Sequence, residues 1–164
     1  MAADALALAL VGAMAAAPAL EPCTLSSPGL PSVRARCGAV VVPKDHGAPA
    51  AGTFAVGFGV LEATGERAAP DPVVLLPGGP GQAGTEVAAI ADVALARARQ
   101  DRDLVLFDPR GTGRSMRLSC DDGAAGAARL TRTPADEAAR FAACAPRLPL
   151  DPRLVSTEAI ARDL

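Results

Sequence analysis

The segment Gly79-Pro80-Gly81-Gln82-Ala83-Gly84 is where residue type and spacing first point to chemistry. It follows the wholly apolar Val73-Val74-Leu75-Leu76 and precedes a stretch with helical spacing, so it brings backbone amides to the end of a strand. Three chemistries use such a loop. Letter for letter it is G-x-G-x-x-G, and Asp108 ends the next apolar run, where an acid could hold a ribose. A dinucleotide loop, however, points N–H groups at a pyrophosphate, and Pro80 has none to offer. The glycine spacing from Gly79 to Thr85 also approaches a phosphate-binding P-loop, but the Lys that should follow Gly84 is missing. The third chemistry is acyl transfer. Its tetrahedral oxyanion is stabilised by two backbone N–H donors about 2.7 to 3.1 Å from the developing charge, and glycine lets the backbone approach without a Cβ in the way.

The other reactive residue types are sparse. A serine nucleophile of the strand-to-helix type sits on G-x-S-x-G, and that pentapeptide is absent. Gly111-Thr112-Gly113-Arg114-Ser115 puts its serine in the wrong place, so Ser115 reads as a turn residue. The single histidine, His46, lies between two β-branched runs and reads as a solvated loop side chain. The four cysteines fall as two local pairs, Cys23 with Cys37 and Cys120 with Cys144, with no C-x-x-C to suggest zinc or a redox dithiol. Connectivity cannot be read from spacing, and four buried thiols are the alternative. If the pairs are bridged, each closes a short loop worth about 3 kcal/mol and requires an oxidising compartment. No metal site and no cofactor is expected.

Elements that would position these residues are legible from periodicity. Cys37-Gly38-Ala39-Val40-Val41-Val42-Pro43 and Thr53 to Leu61 read as two strands of a hairpin, after an irregular Ser/Pro/Gly-rich lead-in from Cys23 to Val33. Pro72 to Leu76 and Asp103 to Asp108 read as strands buried on both faces of a parallel sheet. Between them Thr85 can cap a helix from Glu86 to Arg99, with Val87, Ile90, Val93, Ala94 and Ala98 on one side. This is a βαβ unit with parallel strands. Thr133 caps a helix from Pro134 to Cys144, and Ser156 opens another that continues to the end of the chain.

The 164 residues suffice for one domain. Half are hydrophobic but only 2% aromatic, so Ala, Val and Leu must fill the core. A net charge of −2 with scattered arginines excludes a nucleic-acid footprint. The apolar run Ala5 to Ala17, followed by Ala17-Pro18-Ala19, reads as a secretory signal peptide over residues 1–19 and is too short to span a membrane. Such a leader carries Lys or Arg ahead of its apolar stretch; here the only early charge is Asp4, so an Ala-rich N-terminal helix is the alternative.

Two longer strings go further. Leu75-Leu76-Pro77-Gly78-Gly79-Pro80-Gly81 resembles the H-G-G-P-G motif after the third strand of α/β-hydrolases of the proline iminopeptidase group. Phe107-Asp108-Pro109-Arg110-Gly111-Thr112-Gly113-Arg114-Ser115 resembles their D-Q-R-G-S-G-R-S segment after the fourth. Glu21-Pro22-Cys23, Cys37-Gly38 and Val42-Pro43-Lys44-Asp45 look like the start of the secreted tripeptidyl aminopeptidase branch, so the resemblance covers about Glu21 to Leu164.

The resemblance implies a secreted or periplasmic serine hydrolase, an exopeptidase acting on peptides or small esters. It implies Cys23–Cys37 and Cys120–Cys144 bridges. It makes Gly79 the first choice of oxyanion donor and Gly78 the second, with Pro77 in place of the family's bracing histidine. Asp108 and Arg110 would pair to hold the oxyanion loop, and Gly111 and Gly113 would allow the tight turn. The fold expected for residues 20–164 is a truncated α/β-hydrolase: a β-hairpin, then parallel strands with crossover helices, without the C-terminal half of the sheet. The family's nucleophile strand follows the helix that starts near Ser156. The chain is therefore expected to supply the oxyanion loop without a nucleophile, and to be inactive alone. A non-catalytic or dinucleotide-binding βαβ module built on Gly79 to Gly84 is the alternative.

Overall fold

A computed structural model of the chain describes residues 17–27, 29–79, 81–120 and 131–164. The leader expected over residues 1–19 therefore lies largely outside the described residues, as does Pro80. Five strands form one mixed sheet: β1 (Glu21–Leu25), β2 (Val33–Pro43), β3 (Thr53–Leu61), β4 (Val73–Leu75) and β5 (Leu104–Phe107), in the order β1-β2-β3-β5-β4. β2 and β3 are antiparallel with Val40 opposite Val56 and Val42 opposite Phe54, the pairing that period-two apolar runs favour. β3 pairs antiparallel with β5, and β4 lies parallel to β5 at the sheet edge.

The lead-in is more regular than its composition indicates. Glu21–Leu25 is a strand antiparallel to β2, and β2 itself starts at Val33 rather than Cys37. Local propensity misses β1 because Pro22 weakens it, and an edge strand tolerates a proline that a central one would not. The Cys23–Cys37 bridge ties β1 to β2, and Cys120–Cys144 ties the chain after β5 to the end of the next helix. Both local pairs are thus disulfides, and no cysteine is free.

Between β4 and β5 the helix is shorter than expected. A 3₁₀ turn at Thr85–Val87 leads into α1 (Ala88–Ala94), and a further turn spans Ala98–Gln100. The buried side is also different: Ala88 and Ala91 face the sheet, whereas Ile90 and Val93 are 55% and 79% exposed. Small side chains at the contact let the helix sit close against the sheet, which places the larger β-branched residues outward. Strand β4 differs too, since Val74 and Leu76 are about half exposed instead of buried on both faces. An edge position leaves one flank of the strand without neighbours.

The two faces of the sheet carry separate cores. Leu61, Leu104 and Leu106 pack with Leu25, Cys37, Ala88 and Ala91. Val42, Phe54, Val56 and Phe107 form the other cluster, against which Ile160 packs from α3 (Thr157–Asp163). Helix α2 (Pro134–Cys144) begins at a capping box in which Thr133 Oγ1 accepts from Asp136 N while Asp136 Oδ2 accepts from Thr133 N. Ser156 caps α3 by accepting from Ala159 N.

Candidate active site

The glycine loop is fixed from below by one buried carboxylate. Asp108, fully buried at the end of β5, accepts from Thr85 N at 2.8 Å, Thr85 Oγ1 at 2.7 Å and Arg114 N at 2.8 Å. Thr85 therefore spends its hydroxyl on Asp108, not on a helix cap. Gly84 N donates to Phe107 O, so the C-terminal end of the loop is stitched to β5 by backbone as well. Gly113 makes this possible: it has φ +43°, and a Cβ there would overlap Asp108 Oδ2 and Ala83. Ser115 is fully buried, accepting from Gly57 N at 2.7 Å and donating to Asp108 O at 2.6 Å. Its hydroxyl is committed to the turn and cannot attack a substrate.

This arrangement also bears on phosphate binding. The amide at the start of the helical turn and the acid that would hold a ribose are bonded to each other, Thr85 N to Asp108. A dinucleotide would need both free.

The expected Asp108–Arg110 pair does not form; the two residues lead separate networks. Arg110 is buried and points to the opposite partner set, donating from Nε and Nη2 to Asp163 Oδ2 and Oδ1 at 2.7 and 2.6 Å. Its remaining N–H groups reach the carbonyls of Lys44, Leu154 and Pro43, so all five donors are engaged. The guanidinium also lies 5.2 Å from the Phe54 ring centroid. His46 is part of the same network, with Nε2 2.8 Å from Asp163 Oδ1 and its side chain only 16% exposed. It is not a solvated loop residue. The hairpin loop, the turn after β5 and the end of α3 meet at Asp163, a residue for which the local sequence carried no signal.

Above Asp108 the loop presents its backbone. Among the described residues neither the Gly78 nor the Gly79 amide has a hydrogen-bond acceptor. Gly79 has φ +137°, and a Cβ there would lie 2.9 Å from Gly81 N and 3.0 Å from Gln82 N, so only glycine fits. Gly78, Gly81 and Gln82 face a cavity of about 690 Å³. The same cavity is lined by Leu118, Phe141, Leu148, Val155 and Ile160, and by Gly111 and Thr112. Helix α2 brings in Phe141, which is 50% exposed, and the bridge at Cys144 anchors that helix one turn further on. At its start, the Thr133 hydroxyl, followed by the Thr133 amide, holds the Asp136 carboxyl below the ordinary carboxylate range. Sequence reasoning did not assign Phe141 to the site; a large apolar residue on a capped helix otherwise rich in alanine is the signal that could have marked it.

A second groove, about 760 Å³, lies between Leu30–Arg34 and the exposed side of α1 and shares no residue with the glycine loop. Among the described residues no group of acids, cysteines and histidines is placed to hold a metal. No described helix is long and apolar enough to cross a membrane.

No family model matches the chain. Over 96 residues it is 36% identical to the serine protease Hip1 of Mycobacterium bovis and, equally, to that of Mycobacterium tuberculosis. The match covers 57% of this chain and spans 18% of the length of those relatives. At the level of chemistry, the chain is similar to part of a serine protease.

Proposed function

We propose that this chain supplies the oxyanion half of a secreted serine exopeptidase of the α/β-hydrolase kind, within the proline iminopeptidase and tripeptidyl aminopeptidase group. Residues 1–19 act as the leader, and residues 20–164 form the N-terminal half of the hydrolase sheet. The observation that carries the reading is the pair of amides at Gly78 and Gly79, which lack an acceptor among the described residues, at the end of a parallel strand braced by Asp108. Donors held in place before the reaction need no reorganisation when charge develops on the substrate carbonyl oxygen. The order β2-β3-β5-β4, with the loop following the outer parallel strand, supports the fold reading, and the similarity to a serine protease supports the reaction class.

In this reading Gly79 donates first and Gly78 second, to the carbonyl of a peptide or small ester. No cofactor takes part, and nucleic acid is not a partner. Two disulfides suit a secreted or periplasmic location. In this reading the chain supplies no attacking serine, because G-x-S-x-G is absent and Ser115 is committed, and the base and acid are, as the resemblance implies, contributed from elsewhere. The isolated chain is therefore inactive. Purified chain incubated with an aminoacyl-nitroanilide and a naphthyl ester tests this, and turnover that survives repurification would overturn it. In a longer gene product with a downstream serine elbow, Gly79→Pro removes the donor and, because Pro cannot adopt φ +137°, also displaces the loop, so the rate should fall by at least about 10²; unchanged kinetics would place the donor elsewhere.

A further inference from the structure

We propose that the cavity beside the glycine loop is the subsite for an uncharged, apolar side chain or acyl group of the substrate, and that Phe141 sets this preference. The inference rests on the oxyanion-loop reading and deepens it. Gly78 and Gly81 of the loop line the same cavity of about 690 Å³ as Phe141 and Leu148, so a carbonyl bound at the loop has its neighbouring substituent in a space shared with those two side chains. That volume is in the range of sites that enclose small ligands.

Charge decides what the substituent is. Among the described residues Arg110 is the only charged one lining the cavity, and its five N–H donors are already used by Asp163 and three carbonyls. A carboxylate on the substituent would find no free cation among the described residues of the lining. An ammonium would find no free anion among the described residues of the lining, since Asp163 lies against Arg110 and His46. Either would lose water without a partner, which is costly, whereas an aliphatic group loses nothing. Phe141 is the large apolar side chain of the wall that remains half exposed, and so has surface left for a ligand to cover. It is also held firmly. The capping box at Thr133 and Asp136 fixes the start of α2, and Cys144 fixes its end.

The test uses the 164-residue chain, isotopically labelled, titrated with N-acetyl-leucinamide, N-acetyl-lysinamide and N-acetyl-glutamine amide's charged counterpart, N-acetyl-glutamate amide. Backbone amide shifts of Gly78, Gly81 and Gly111 are followed by NMR. The leucine probe is expected to move all three and to bind at least roughly tenfold more tightly than either charged probe. Phe141→Asp should weaken the leucine probe by a similar factor, while Phe141→Leu should retain most of the affinity and, with unchanged circular dichroism, controls for folding. Equal binding of a charged probe, shifts confined to other residues, no shifts at all, or full leucine affinity in Phe141→Asp would each overturn the proposal. Failure of the underlying reading looks different: the leucine probe binds as expected, but Gly79→Pro leaves hydrolysis by the longer gene product unchanged.

Discussion

Replacing Asp108 by Asn tests whether one carboxylate holds the glycine loop. The substitution keeps size and shape but turns one acceptor oxygen into a donor. If the amide NH₂ takes the Oδ1 position, it meets the Thr85 N–H; if it takes the Oδ2 position, it meets the Arg114 N–H, while the Thr85 hydroxyl can rotate to accept. In either orientation one buried backbone donor is orphaned, at about 1 to 3 kcal/mol, and the surviving bonds lose their charge assistance, about 1 kcal/mol each. With the site fully buried, the destabilisation should total about 2 to 5 kcal/mol. Urea unfolding followed by circular dichroism, with both disulfides intact, measures it. In the amide spectrum the Thr85 and Arg114 resonances should shift most. A loss below about 0.5 kcal/mol, within the range of ordinary surface substitutions, would refute the bracing role.

Three further outcomes follow from the same structure. Asp163→Ala strands the buried Arg110 charge and removes the partner of His46, so it should cost about 3 to 5 kcal/mol in urea unfolding, whereas Arg110→Met with Asp163→Leu should recover much of that in a double-mutant cycle. Because Asp136 titrates below its unfolded value, its contribution to α2 is present above the ordinary Asp pKa of about 3.9 and is lost as pH falls through the lower folded value. The amide of Thr133 should therefore lose exchange protection between neutral pH and strong acid, and Asp136→Ala, which removes the acceptor, should show that loss already at neutral pH. Replacing Cys23 and Cys37 together by Ser opens a loop with a separation of 14 residues and should lower stability by about 3 kcal/mol, read as the shift in urea midpoint.

Much of the architecture was legible because it rests on local rules. The β-branched runs on either side of Lys44 to Gly52 give the β2/β3 hairpin, and short apolar runs flanking a glycine loop and a helical stretch give the parallel pair β4/β5. The Thr133 cap of α2 and the Ser156 cap of α3 lie where the cap residues stand in the chain. The β1 strand was not legible, since its pairing to β2 outweighs the weak propensity of Glu21-Pro22-Cys23. The inward face of α1 was misread for a related reason: hydrophobic size favoured Ile90 and Val93, but close approach to the sheet selects Ala88 and Ala91.

For the site, the sequence by itself determined composition: a glycine loop after a strand, an acid and an arginine in the turn after the next, and no serine elbow. Which of these groups bond to which was decided only in three dimensions. Asp108 and Arg110 are two residues apart and were expected to pair, yet Asp108 turns toward Thr85 and Arg110 toward Asp163. The physical reason is desolvation. Each buried polar group must be satisfied by whatever the fold brings within about 3 Å, and those partners come from 23 and 53 residues away in the chain, a distance that no local pattern records.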